Sequence, residues 1–125
     1  MRQYLEKVLR QKVIITEDKT LYKKLPLVYQ GKYTIFRVET NGILWIAMHP
    51  TQMAGLVQLR KDRIKIERLA NLNCALFLDN ATFYIKEKLM DEGIPFIIQE
   101  KQVYLPFLSY VPAVPYRKDI FSQPI

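Results

Sequence analysis

The sequence holds a single cysteine in 125 residues, so no internal disulfide can staple the chain. That cysteine, Cys74, sits in the apolar run Cys74-Ala-Leu-Phe-Leu78, which points to a packing role for the thiol and to the reducing cytoplasm. Histidine is equally scarce. His49 is the only one, with no second histidine or cysteine at ligand spacing, which argues against a metal site. As a general base it would need a serine or Cys74 beside it, and a structural histidine at a strand end is the simpler reading. The 4 glycines are dispersed, so no glycine-rich loop is present to cradle a phosphate, and no cofactor is expected. No apolar run approaches the roughly 18 residues of a membrane span. The start, Met1-Arg-Gln-Tyr-Leu-Glu-Lys-Val-Leu9, mixes charges into its apolar positions and does not read as a secretory signal.

What the chain does have is apolar mass and positive charge. Hydrophobic residues make up 50% of it, and a domain of this size buries roughly two thirds of its unfolded surface, so one core is expected. Lysine and arginine outnumber aspartate and glutamate 19 to 12, a net charge of +7. Such a balance favours polyanionic partners, because neutralising phosphates releases counterions.

Tyr4, Leu5, Val8 and Leu9 share one helical face, which predicts a short amphipathic helix over 2–12. A strand over Val13–Thr16 follows, then a polar turn at Glu17–Thr20. Leu21–Val28 is mixed and broken by Pro26. The clearest local pattern is Tyr33-Thr-Ile-Phe-Arg-Val-Glu-Thr40, then Asn41-Gly42, then Ile43-Leu-Trp-Ile-Ala-Met48. Asn-Gly favours a two-residue type I′ hairpin, which would set Val38 opposite Trp45 and Arg37 opposite Ile46. The second strand is apolar throughout and belongs in the middle of a sheet.

His49-Pro50-Thr51 should end that strand and open a helical region reaching about Asn71. Its apolar residues form two sets, Met53, Leu56, Val57 and Ile64 on one side and Leu59, Ile66 and Ala70 on another. The helix is therefore either buried on a broad arc or broken near Arg60-Lys61-Asp62. Cys74–Leu78 reads as a strand covered on both faces. Asp79, Asn80 and Thr82 offer capping oxygens to the next helix, and Gly93 can end it. Pro95 blocks continuation, Phe96–Ile98 resumes as strand, and a last apolar and aromatic run, Gln102–Leu108, is interrupted by Pro106, which suits a sheet edge or a strand end. Residues 1–108 thus form one α/β domain, a mixed β-sheet with flanking helices. Residues 109–125 read as a proline-rich tail or linker.

The element order is that of the restriction-endonuclease-like core. A narrower likeness lies in Phe77-Leu78, Thr82, Tyr84, Lys88-Leu89, Ile94-Pro-Phe-Ile97 and Gln102-Val-Tyr-Leu-Pro106. This stretch resembles the N-terminal domain of bacterial MarR-type regulators, which carry a winged helix-turn-helix further on. The resemblance implies a non-catalytic part of a longer cytoplasmic transcriptional regulator, with DNA as partner and with dimerisation or effector sensing as further roles.

A nuclease of this core needs an acidic residue at the hairpin and an acidic-x-Lys on its second strand, to hold a divalent ion and position water. Ile43–Met48 has neither an acid nor a lysine. Glu39 reads as a surface residue and Asp79 as a helix cap, so a nuclease would require a migrated site. The basic residues carry more. Arg60, Lys61, Arg63, Lys65 and Arg68 form the most cationic stretch, with Lys61, Lys65 and Arg68 along one helix face. Lys23, Lys24 and Lys32 flank Tyr22, Tyr29 and Tyr33, a mixture suited to phosphates and stacked bases. The alternatives are a solvated helix face and a protein-interaction module whose charge is incidental.

Overall fold

Asn41 and Gly42 both take positive φ, 49° and 81°, the backbone that a two-residue type I′ turn demands. The computed structural model describes residues 1–52 and 54–109. The proline-rich segment 110–125 and Met53 lie outside the described residues. The turn joins β2 (Tyr33–Thr40) to β3 (Ile43–Pro50) with Val38 opposite Trp45 and Arg37 opposite Ile46, the register expected from the loop length. β1 (Val13–Glu17) pairs antiparallel with β2. On the other side β4 (Cys74–Leu78) lies parallel to β3, and β5 (Phe96–Ile98) parallel to β4. β6 (Gln102–Tyr104) closes the sheet antiparallel to β5. The six strands therefore lie in chain order, β1 to β6.

Two parallel connections in one direction need two crossover helices, and right-handed crossovers place both on the same face. These are α3 (Leu56–Ala70) and α4 (Phe83–Asp91). With the short α2 (Lys19–Lys24) they cover a core of Tyr33, Ile35, Ile46, Met48, Leu59, Ile66, Leu76, Leu89 and Phe96. α1 (Arg2–Leu9) and a 3-10 turn (Pro106–Leu108) cover the opposite face, where Leu5, Val38, Trp45, Phe77, Ile97 and Leu105 pack. All five residues of β4 are buried, as its apolar sequence implies for a strand covered on both faces.

Four local expectations change. α1 stops at Leu9 because Arg10 turns left-handed, with φ 56°. The expected polar turn at Glu17–Thr20 is instead the end of β1 and the start of a helix: Asp18 Oδ1 accepts from the Leu21 amide at 3.0 Å and caps α2. Only six residues long, α2 shows too little periodicity to be seen in sequence. β3 runs on through His49 and Pro50, paired to Thr34 and Tyr33, and the long helix begins only at Leu56. α3 is then unbroken, and it buries Leu59, Asp62 and Ile66, leaving Val57 and Ile64 exposed.

The fourth concerns the cap of α4. Thr82 Oγ1 accepts from the Ile85 amide at 3.2 Å, while Asp79 turns to His49 instead. Thr82→Ala should therefore cost about 1 kcal/mol. Asp79→Ala should cost less than about 0.5 kcal/mol, because its contact with His49 is solvent-exposed. Urea unfolding of the two variants measures both, and the reverse order would return the cap to Asp79.

Candidate nucleic-acid interface

α3 has two sides with different work. Its inner side is fixed by Leu59 and Ile66 in the core and by Asp62, which is only 2% exposed. The Asp62 carboxylate accepts from the Tyr33 hydroxyl at 2.5 Å and from Gln58 Nε2 at 2.8 Å. These bonds replace the water that a buried carboxylate has lost. Burial, and then this same bond to Asp62, hold the Tyr33 hydroxyl well above the ordinary phenol range. The helix ends where Asn71 turns left-handed, with φ 55°, and returns its amide to the Glu67 carbonyl.

The expected cations divide between the two sides. Lys61, Lys65 and Arg68 are exposed on the outer face, and none of them is in an ion pair among the described residues. Arg60 is drawn to Glu92 at 3.0 Å, tying α3 to the end of α4. Arg63 bonds Glu67 at 3.1 Å and the Cys74 carbonyl at 2.9 Å, while Glu67 accepts from the Cys74 amide. Arg60 and Arg63 thus hold the helix to its neighbours, a role that helical spacing could not reveal. Lys23 and Lys24 are exposed on α2.

The structure brings several of these cations onto one surface. Lys65 and Arg68 line a shallow depression with Pro26, Val28, Tyr29 and Leu69. Lys24 lines the adjoining one with Leu69, Ala70, Leu72 and Arg37, the last ion-paired at 3.2 Å with Asp18 in the same lining. Leu69 is common to both, so the α2 and α3 cations border a continuous surface. The tyrosines do not join it as stacking platforms. Tyr33 and Tyr29 are buried, and the Tyr22 hydroxyl accepts from the Gly31 amide at 2.8 Å.

The carboxylates considered for nuclease chemistry do not converge. Glu39 faces Leu44 in the β2–β3 ladder, whereas Asp79 meets His49, which faces Thr34. Five residues of strand separate those two rungs, roughly 17 Å at strand rise. No three His, Cys, Asp or Glu side chains gather at ligand distance among the described residues. Cys74 is buried, and burial pushes its thiol above the ordinary range despite the nearby Arg63, which favours the protonated form.

Sequence reasoning passed over the pair His49–Asp79, with Nε2 to Oδ1 at 3.2 Å and the imidazole 4.8 Å from the Phe77 ring. It lies at the carboxyl ends of the parallel strands β3 and β4, where open α/β sheets commonly hold ligands. The only signal for it was that each residue follows an apolar strand. No helix among the described residues is long and apolar enough to cross a membrane. No family model matches the chain, and neither a curated protein nor a solved structure matches it.

Proposed function

We propose that the chain is a non-catalytic domain of a bacterial DNA-binding transcriptional regulator, and that the outer face of α3 meets the DNA backbone. The observation that carries this reading is the row Lys61, Lys65 and Arg68, exposed and outside any ion pair among the described residues. Lys24 stands across Leu69 from it; the depression that Lys65 and Arg68 share has no carboxylate in its lining, while Asp18 lines the one with Lys24 and Glu67 another with Arg68. Cations gathered on a rigid helix neutralise successive phosphates at little ordering cost.

The strand order, with a hairpin feeding a parallel crossover, is in keeping with a restriction-endonuclease-like core that has lost its metal site. With Glu39 and Asp79 apart, a cleaving role would need a site elsewhere in the fold. A homodimer, which the resemblance implies, would use another face. A two-fold contact through α3 would press like charges together.

Binding of the full chain to duplex DNA, titrated against salt, tests the reading. Reversing Lys61, Lys65 and Arg68 to glutamate should flatten the slope of log K against log salt by about 2.7, or 0.9 for each lost phosphate contact. Affinity at low salt should fall roughly 100-fold, at about 1 kcal/mol per exposed contact. An unchanged slope and affinity would remove α3 from the interface. DNA cleavage that depends on magnesium or manganese would replace the binding role with a nuclease.

A further inference from the structure

Phosphate contact leaves one part of the cationic surface unexplained. Leu27 is 83% exposed, more than any other large hydrophobic residue among those described, and Val28 beside it is 57% exposed. An exposed leucine in a loose loop is ordinary, but this segment is tightly braced. Leu25 and Tyr29 anchor its two sides in the core. Gln30 Nε2 donates to the Leu25 carbonyl at 2.9 Å, the Tyr29 amide to Pro26 at 2.9 Å, and the Lys32 amide to Tyr29 at 3.1 Å. The far end is tied to the residue after β3, by the Thr51 amide on the Lys32 carbonyl at 2.8 Å and by Thr51 Oγ1 on the Gly31 carbonyl at 2.7 Å. Two aliphatic side chains are therefore held out into water by a built turn, with exposed Lys23 and Lys24 before them and Lys32 after. Val28 also shares its depression with Lys65 and Arg68.

An occupant of this surface must be anionic at its margin and accept an apolar tip at its centre. A second copy of the chain is disfavoured, because it would bring the same cations against these. Duplex DNA meets both demands. Its minor groove, about 6 Å wide, admits a two-residue tip but no helix, and apolar wedges inserted between base steps unstack and kink the duplex. The phosphates on either side of the groove would face the lysines of α2 and the cations of α3. Resting on the DNA-binding reading above, we infer that Leu27 and Val28 form an apolar wedge that enters the minor groove between the cations of α2 and α3.

The full chain and its Leu27→Ala/Val28→Ala variant, titrated into a short mixed-sequence duplex carrying fluorophores at both ends, test this. Both positions face solvent, so the variant should keep the fold, which far-UV circular dichroism checks. The expected result is a loss of affinity of about 10-fold at every salt concentration, with the salt slope unchanged because the phosphate contacts remain. The end-to-end energy transfer that reports a bend in the wild-type complex should fall in the variant's. Equal affinity and equal bending in wild type and variant would overturn the wedge while leaving the DNA-binding function standing. No binding of duplex by the wild-type chain would remove both. If binding to vesicles containing phosphatidylserine, and not to duplex, showed the Leu27 sensitivity, the wedge would belong to a lipid surface and the inference would be wrong.

Discussion

Trp45→Ala is expected to remove about 3–5 kcal/mol of stability, the cost of truncating a large buried aromatic and leaving a cavity. Domains of this kind hold only about 5–15 kcal/mol in total, so the variant would stand near the edge of folding. The magnitude follows from position. Trp45 is fully buried in the core under α1, and its ring meets Phe107 edge-on at 5.4 Å. Its Nε1 donates to Thr40 Oγ1 at 3.0 Å, so truncation also leaves a buried hydroxyl without that partner. The tryptophan thus fastens the hairpin to the 3-10 turn after β6. Trp45→Phe keeps most of the ring and should cost only about 1–2 kcal/mol. Urea unfolding followed by far-UV circular dichroism compares the variants, since Trp45 is the only tryptophan and its fluorescence vanishes with it. Equal stability of Trp45→Ala and wild type would mean that this face of the sheet is not packed as described.

Tyr33→Phe should cost about 1–3 kcal/mol, because it strips one of two hydrogen bonds from a buried carboxylate rather than a bond between neutral groups. Adding Asp62→Asn should recover part of the loss, since the amide carries no charge into the core. The pair also sets the response to alkali. Burial, and then the bond to Asp62, raise the Tyr33 hydroxyl above its ordinary 10.0, and burial raises the Cys74 thiol above 9.0. The unfolded chain releases these protons first. Their contribution is therefore intact below about pH 9, and stability falls as the pH rises beyond that by up to about 1.4 kcal/mol per unit for each group. In Tyr33→Phe the fall above about pH 10 should be shallower by one proton. Urea titrations across that range read the slope directly, and an identical slope in the variant would contradict the buried phenol.

The features legible in the sequence share one property: they are decided by residues next to one another. Asn41-Gly42 specified the hairpin and its register because positive φ is a local preference. The run Cys74–Leu78 announced a strand covered on both faces, and Gly93, at φ 70°, marked the end of α4. Lys61, Lys65 and Arg68 were placed on one exposed helix face by spacing alone. The outward turn at Leu27 and Val28 left no comparable mark, because a leucine beside Pro26 reads as an interrupted apolar stretch.

Other features depended on partners distant in the chain. α3 carries two apolar stripes, and periodicity could not say which one is buried. The sheet beneath took Leu59 and Ile66, and with them Asp62, which reaches the Tyr33 hydroxyl 29 positions away. Arg60 and Arg63 looked like the rest of the cationic stretch until Glu92 and the Cys74 carbonyl drew them aside. Asp79 had the chemistry of a cap, yet it met His49 because β3 and β4 run parallel and end side by side. The sequence by itself determined where the strands lie (though not every strand end), the hairpin and the exposed cation row, since turn preference and periodicity act over a few residues. Only the tertiary structure decided which face of α3 is buried, which cations stay unpaired, and that α2 and α3 border one surface. Those outcomes rest on hydrogen bonds and ion pairs between segments that meet only when the sheet is assembled.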